Sequence, residues 1–194
     1  MGRHFWLGAG LLATLLVYWN PNQAAISQPG TEAVGELGSQ ATVSSGGMTS
    51  PLAGVSLQQM IDYQPAFGQS FGPKTGNQRS YGDHGGVDFD CTVGGCAGAT
   101  VTAMKSGTVA AAEVIGSSAN GASYRLVVNA EDGTEHRYVH VDSLTVSPGQ
   151  AVAAGDVIAK VSPTDSVSTG PHLDIKILRG GDWVDPQQYM RENL

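Results

Sequence analysis

The stretch Ser123–Val141, SYRLVVNAEDGTEHRYVHV, decides the fold class. Tyr124–Asn129 and Glu135–Val141 are rich in β-branched and aromatic residues. They flank Asp132-Gly133, a dipeptide favoured in hairpins where both central residues need positive φ. The same grammar continues on either side. Upstream, ATVTAMKSGTVAAAEVI gives two extended runs around Ser106-Gly107. Downstream, VSPGQAVAAGDVIAKVS places Pro148-Gly149 and Gly155-Asp156 between β-branched runs. The last strand is STGPHLDIKI, Ser168–Ile177, where Leu173, Ile175 and Ile177 alternate with His172, Asp174 and Lys176. Alternate residues of a strand point the same way, so one face is apolar and the other carries an imidazole beside a carboxylate. No amphipathic helix of useful length stands out between residues 64 and 180. The expected product is an all-β, compact antiparallel sheet or sandwich.

The chain has 194 residues, a formal net charge of -7 and 14% charged residues. That balance excludes non-specific nucleic-acid binding, which needs a basic patch. The length suggests one ordinary domain with extra segments. Arg3 precedes an uncharged apolar run from Phe5 to Trp19, ended by Asn20-Pro21. The run is long enough for a signal-peptide core and short of the roughly 20 residues that cross a bilayer comfortably. Residues 1–25 are therefore expected to be a signal peptide or an N-terminal membrane anchor. Either one places the rest outside the cytoplasm: periplasmic, wall-associated or extracellular. Residues 26–60, rich in Ser, Gly, Ala, Thr and Gln, read as a flexible low-complexity linker. Residues 61–194 are then the folded domain. SLQQMIDY, Ser56–Tyr63, could form a short helix or a lead-in to it.

Three short motifs combine His, Gly and Asp. DHGGVDFD carries His84 and Asp88, and Gly85-Gly86 between them argues against a helix. In extended conformation residues 84, 86 and 88 share a face, and Gly86 leaves it open to a metal or ligand. HRYVHVD puts His136, Tyr138 and His140 on one strand face, and HLD does the same for His172 and Asp174. His136, beside Arg137 near the hairpin, reads as a solvated side chain, and Asp90 as a turn or surface carboxylate. Neutral imidazole and carboxylate are ordinary zinc ligands, and a catalytic zinc keeps three protein ligands with one position open.

Several of these segments, in order, resemble the lysostaphin-type (LytM) zinc metallopeptidases. FGPKTGNQRSYGDHGGVDF is similar to the family's His-x-Gly-x-Asp region, and Tyr138-Val139-His140 to its Tyr-x-His element. STGPHLDIKI resembles the Gly-Pro-His-Leu-His strand, and WVDPQQYM the closing Asp-Pro segment. The likeness runs from about residue 63 to 190. It implies a compact antiparallel β structure, a duplicated hybrid motif, with a groove across one sheet. It also implies a zinc endopeptidase of bacterial cell walls, with peptidoglycan peptides as substrate and a metal-activated water as nucleophile. His84 and Asp88 would be zinc ligands. His140 and His172 would be catalytic, one helping to deprotonate the water and the other stabilising or protonating developing charge. The third ligand of the family is the second His of His-Leu-His, and here that position is Asp174. One His with two Asp makes a harder, more anionic site, less selective for zinc. Three readings stay open: a working altered zinc site, a site for another divalent ion, and a metal-free module that binds wall or regulates another wall hydrolase.

Cys91 and Cys96 bracket TVGG, a spacing unlike the Cys-x-x-Cys of zinc sites. In an exported chain they are expected to form a small disulfide after the His84/Asp88 motif. A nucleophilic Cys91 served by His140 would make a cysteine peptidase, a far weaker reading. TAMKSG and VSPGQAVAAGDVIA also resemble biotinyl-carrier segments. There the modified lysine follows the second segment, whereas Lys105 precedes it here.

Overall fold

The computed structural model describes residues 47–66, 69–72 and 84–194. The expected export segment and the first part of the expected tether lie outside the described residues. In chain order the elements are α1 (Leu57–Asp62), β1 (Gly86–Phe89), β2 (Thr100–Thr102), β3 (Gly107–Ser118), β4 (Gly121–Ala130) and β5 (Thr134–Asp142). They continue with β6 (Ala151–Val152), β7 (Val157–Val161), β8 (Leu173–Arg179), β9 (Asp182–Val184) and α2 (Pro186–Glu192). Among the described residues all strands join one antiparallel nine-stranded sheet, ordered β1-β8-β5-β4-β3-β6, with β9 also on β8, β7 on β5 and β2 on β7.

The β4–β5 hairpin forms where the sequence predicts it, with a different turn. Gly133 has φ 81, while the only non-glycine positive φ values among the described residues are at His140 and Ser143. The Gly133 N–H donates to the Ala130 carbonyl, and the Thr134 N–H and hydroxyl both donate to Asp132 Oδ1. The Asp132 side chain closes the turn itself, so a single left-handed glycine suffices.

Strand alternation separates two faces. Val87, Phe89, Leu126, Tyr138, Leu173 and Ile175 are fully buried. Their partners on the other face include Asp88 opposite Asp174, and Asp174 opposite Val139. Tyr138 is enclosed, and its hydroxyl accepts the Met104 N–H at 2.8 Å. His136 departs from expectation. It is fully buried rather than solvated, because α2 covers this side of β5 and places Tyr189 Oη 3.0 Å from His136 Nε2.

The expected tether, drawn to residue 60, ends earlier. Leu52 and Met60 are in the core, Leu52 pairs with Val101, and the Thr49 N–H donates to the Met104 carbonyl. The composition of this segment is polar, but a few apolar side chains suffice to seat it on the sheet. Helix α1 carries a capping box between Ser56 and Gln59. Helix α2 starts at Asp185 with Pro186 in its first turn, and the Gln187 side-chain amide donates to the carbonyls of Met60, Ile61 and Tyr63. No helix among the described residues is long and apolar enough to cross a membrane.

Candidate metal centre

The sheet forks at His140. Strand β8 leaves β5 at the pair Val139–Asp174, and β7 takes its place from Val141–Val161. On the other side Tyr124 pairs with Val141 and Arg125 with Val139, so His140 is an unpaired bulge residue. Its φ of 60 is left-handed. A bulge re-aims a side chain. Simple alternation, from which the sequence predicts one face for His136, Tyr138 and His140, would put His140 on what proves to be the core face. Instead its ring lies beside His172, centroids 4.5 Å apart.

His84, Asp88 and Asp174 each offer a ligand atom within 4.8 Å of the others. His84 Nε2 stands 3.3 Å from Asp88 Oδ1 and 3.7 Å from Asp174 Oδ1. His172 Nε2 lies 3.8 Å from Asp88 Oδ1. Both Oδ1 atoms are buried and accept no well-aligned hydrogen bond among the described residues, with His84 Nε2 the imidazole nitrogen facing them. Buried carboxylate oxygens normally have partners, so two orphans converging on one imidazole nitrogen fit a cation between them. Adding a Cβ at Gly86 would bring it 2.4 Å from Asp174 Oδ1 and 2.5 Å from the Ile175 carbonyl. Glycine there admits the third carboxylate.

The three rings are held alike. Their Nδ1 atoms face acceptors: Ser70 carbonyl for His84 at 3.2 Å, Gly170 carbonyl for His172 at 2.9 Å, and Asp165 Oδ2 for His140 at 2.8 Å. In the neutral ring an Nδ1–H donated in this way leaves Nε2 as the lone pair, which at His84 a bound cation would take in place of a proton. Asp165 is itself buried and also accepts from the Ser123 hydroxyl and the Val167 N–H. Burial alone would raise its carboxyl; these hydrogen bonds and the His140 ring outweigh it and hold it at about 2. At His84 burial opposes charge, and the carboxylates of Asp174 and Asp88 outweigh it, raising the ring to about 9 without metal. Burial opposes ionisation of Asp174. The facing His84 ring and the Lys176 ammonium outweigh burial and keep its carboxyl below the ordinary range.

Every candidate site residue read from the sequence, His84, Asp88, His140, His172 and Asp174, thus lies in one place. Asp165 and Lys176 were missed. Asp165 sits in the Ser/Thr-rich loop SPTDSVSTG, with no periodic signal to distinguish it from a turn carboxylate. Cys91 and Cys96 form a disulfide just after β1, and Asp90 caps the short turn they close through the Thr92 N–H and hydroxyl. Beside His84 runs a groove of about 610 Å³, lined by Phe71, Arg125, Arg137, Lys176 and Trp183. Trp183 is 44% exposed, lies against Gly85, and carries the Arg137 guanidinium 5.2 Å from its ring centre.

An antiparallel sheet bearing a His-Asp-Asp cluster beside two anchored histidines fits the class of metallopeptidase domains. The sequence pattern of Peptidase family M23 matches residues 82–186, and the chain belongs to that family. Among solved structures it is similar to the catalytic domain of the antimicrobial peptidase lysostaphin from Staphylococcus simulans. Identity is 27% and the TM-score 0.52, over 71% of this chain and 98% of that domain. LytU matches at 25% identity and TM-score 0.52, over 67% of this chain and 87% of its own. A zinc-containing peptidase from Vibrio cholerae matches at 27% identity and TM-score 0.50, over 62% of this chain and 35% of its own. Against longer lysostaphin structures the chain spans 54% and 56% of their length.

Proposed function

We propose that this chain is an exported endopeptidase that hydrolyses peptide bonds of peptidoglycan. The observation that carries the reading is the pair of buried, unpartnered Oδ1 atoms of Asp88 and Asp174 facing His84 Nε2. His84, Asp88 and Asp174 would hold a zinc ion. When bound, zinc supplies Lewis acidity, polarising the scissile carbonyl and acidifying the attacking water.

The chain's own groups do the rest. His140, with Nδ1 fixed on the Asp165 carboxylate, presents Nε2 as the general base for that water. Asp165 stabilises the imidazolium that results. His172, fixed on the Gly170 carbonyl, presents Nε2 beside the carboxylate cluster and stabilises or protonates charge that develops on the substrate. The groove lined by Trp183 and Arg137 would receive the peptide. Lysostaphin, described as an antimicrobial peptidase, and the zinc-containing Vibrio cholerae peptidase support this direction. The apolar N-terminal run and the Cys91–Cys96 disulfide support export, with residues 1–25 as leader or anchor.

A second reading has its own observation: Asp174 Oδ2 is already engaged by Lys176 at 2.9 Å. If that pair disables the site, the domain is an inactive module that binds wall or regulates another hydrolase. Incubation with purified peptidoglycan separates the two. The enzyme reading expects new amino termini, lost on chelation and in His84→Ala. Wall binding without cleavage would favour the module.

A further inference from the structure

Asp174 stands where the resemblance places a ligand imidazole, and the structure shows what accompanies it. Two residues along β8 on the same face, Lys176 Nζ lies 2.9 Å from Asp174 Oδ2. The Lys176 side chain is 19% exposed and that of Asp174 7%. The other oxygen, Oδ1, is the buried orphan that faces His84. Lys176 pairs in register with Gly86 on β1, where a Cβ would come 2.7 Å from Lys176 Cγ and 2.4 Å from Asp174 Oδ1. One glycine therefore makes room for both members of the pair.

We infer that Lys176 is a positioning residue that fits Asp174 to the metal site, holding one oxygen so that the other is presented as ligand. The inference rests on the metal-site reading above. Two geometric facts carry it. A carboxylate reaches less far than an imidazole and can rotate about its last bond; the ion pair fixes that rotation. One imidazole with two carboxylates also brings one more negative charge than two imidazoles with one carboxylate, and the Lys176 ammonium offsets it. Donor set and lysine together then carry the net charge of two imidazoles with one carboxylate. Arg137, the register partner of Lys176 on β5, is turned to Glu135 and Trp183 and leaves this role to the lysine.

The test is zinc affinity of the purified chain, read by competition with a chromophoric chelator, so it needs no activity. Lys176→Met should weaken zinc binding about 10- to 100-fold, the usual loss when a ligand's supporting partner is removed. Lys176→Arg should stay within a few-fold of the parent. In the Asp174→His background Lys176→Met should change little, because the imidazole has no second oxygen to hold. Zinc binding as tight or tighter in Lys176→Met would overturn the inference. So would an equal loss in the Asp174→His background, which would report a general effect on the fold. A folded parent that binds no zinc would instead bring down the metal reading beneath it.

Discussion

At the residue scale, the three site histidines share one device: Nδ1 is tied to an acceptor, and the Nε2 atoms of His84 and His172 face the carboxylate cluster, with the His140 ring beside His172. Asp165 matters most for His140, since it is buried, held ionised by its hydrogen bonds, and in contact with the ring. Asp165→Asn should keep zinc content unchanged and lower kcat about 100-fold, the lower end of what a positioned general base contributes. Asp165→Glu should recover part of the lost kcat, because it restores a carboxylate acceptor for His140 Nδ1. Full kcat in Asp165→Asn would remove Asp165 from the mechanism. His84, Asp88, His172 and Asp174 were legible because each sits in a short motif of fixed spacing. Asp165 and Lys176 were not. Their roles arise from where a loop returns and from a neighbouring glycine on another strand, neither of which leaves a mark in local sequence.

At the element scale, β5 shows how one strand serves core and site. Thr134, His136 and Tyr138 face inward by simple alternation, and the bulge then hands His140 to the other face. Alternation alone predicts His136 and His140 on one face. Only the fork between β8 and β7 reverses the second, so the error in the sequence reading falls at the functional residue. His136 instead belongs to the seam with α2. Burial lowers its ring to about 4, Asp132 pulling it up and Lys105 pulling it further down. Thr134 and Tyr189 bond its Nε2, and Arg179 lies over the Tyr189 ring. The unfolded chain accepts a proton near 6.5 that the folded chain refuses until about 4. Stability contributed by this group is therefore present above the unfolded value and lost as pH falls through that window. Between about pH 6.5 and 4.5 the loss should be on the order of 2 kcal/mol, read by urea unfolding. His136→Gln should remove that slope, and an unaltered slope would assign acid sensitivity elsewhere.

At the scale of the whole molecule, the all-β antiparallel character was legible from the hairpin and the alternating runs. Period-2 patterning survives wherever one face is buried. The start of the folded unit was not. Taken over residues 26–60 the composition is rich in Ser, Gly, Ala, Thr and Gln, yet at its end Leu52 and Met60 are anchored in the core, and Gln187 ties α1 to α2. Composition averages over a segment, whereas docking depends on a few positions. The fold then brings a loop residue, two strand carboxylates and a bulged histidine to the fork of one sheet, and that convergence is the basis for assigning chemistry. The most direct test is the metal content of the purified chain prepared without chelator. About one zinc per chain is expected, lost in His84→Ala while the fold is kept, as three protein ligands allow. A folded wild-type chain with no bound metal, and none taken up on titration with zinc, would contradict it.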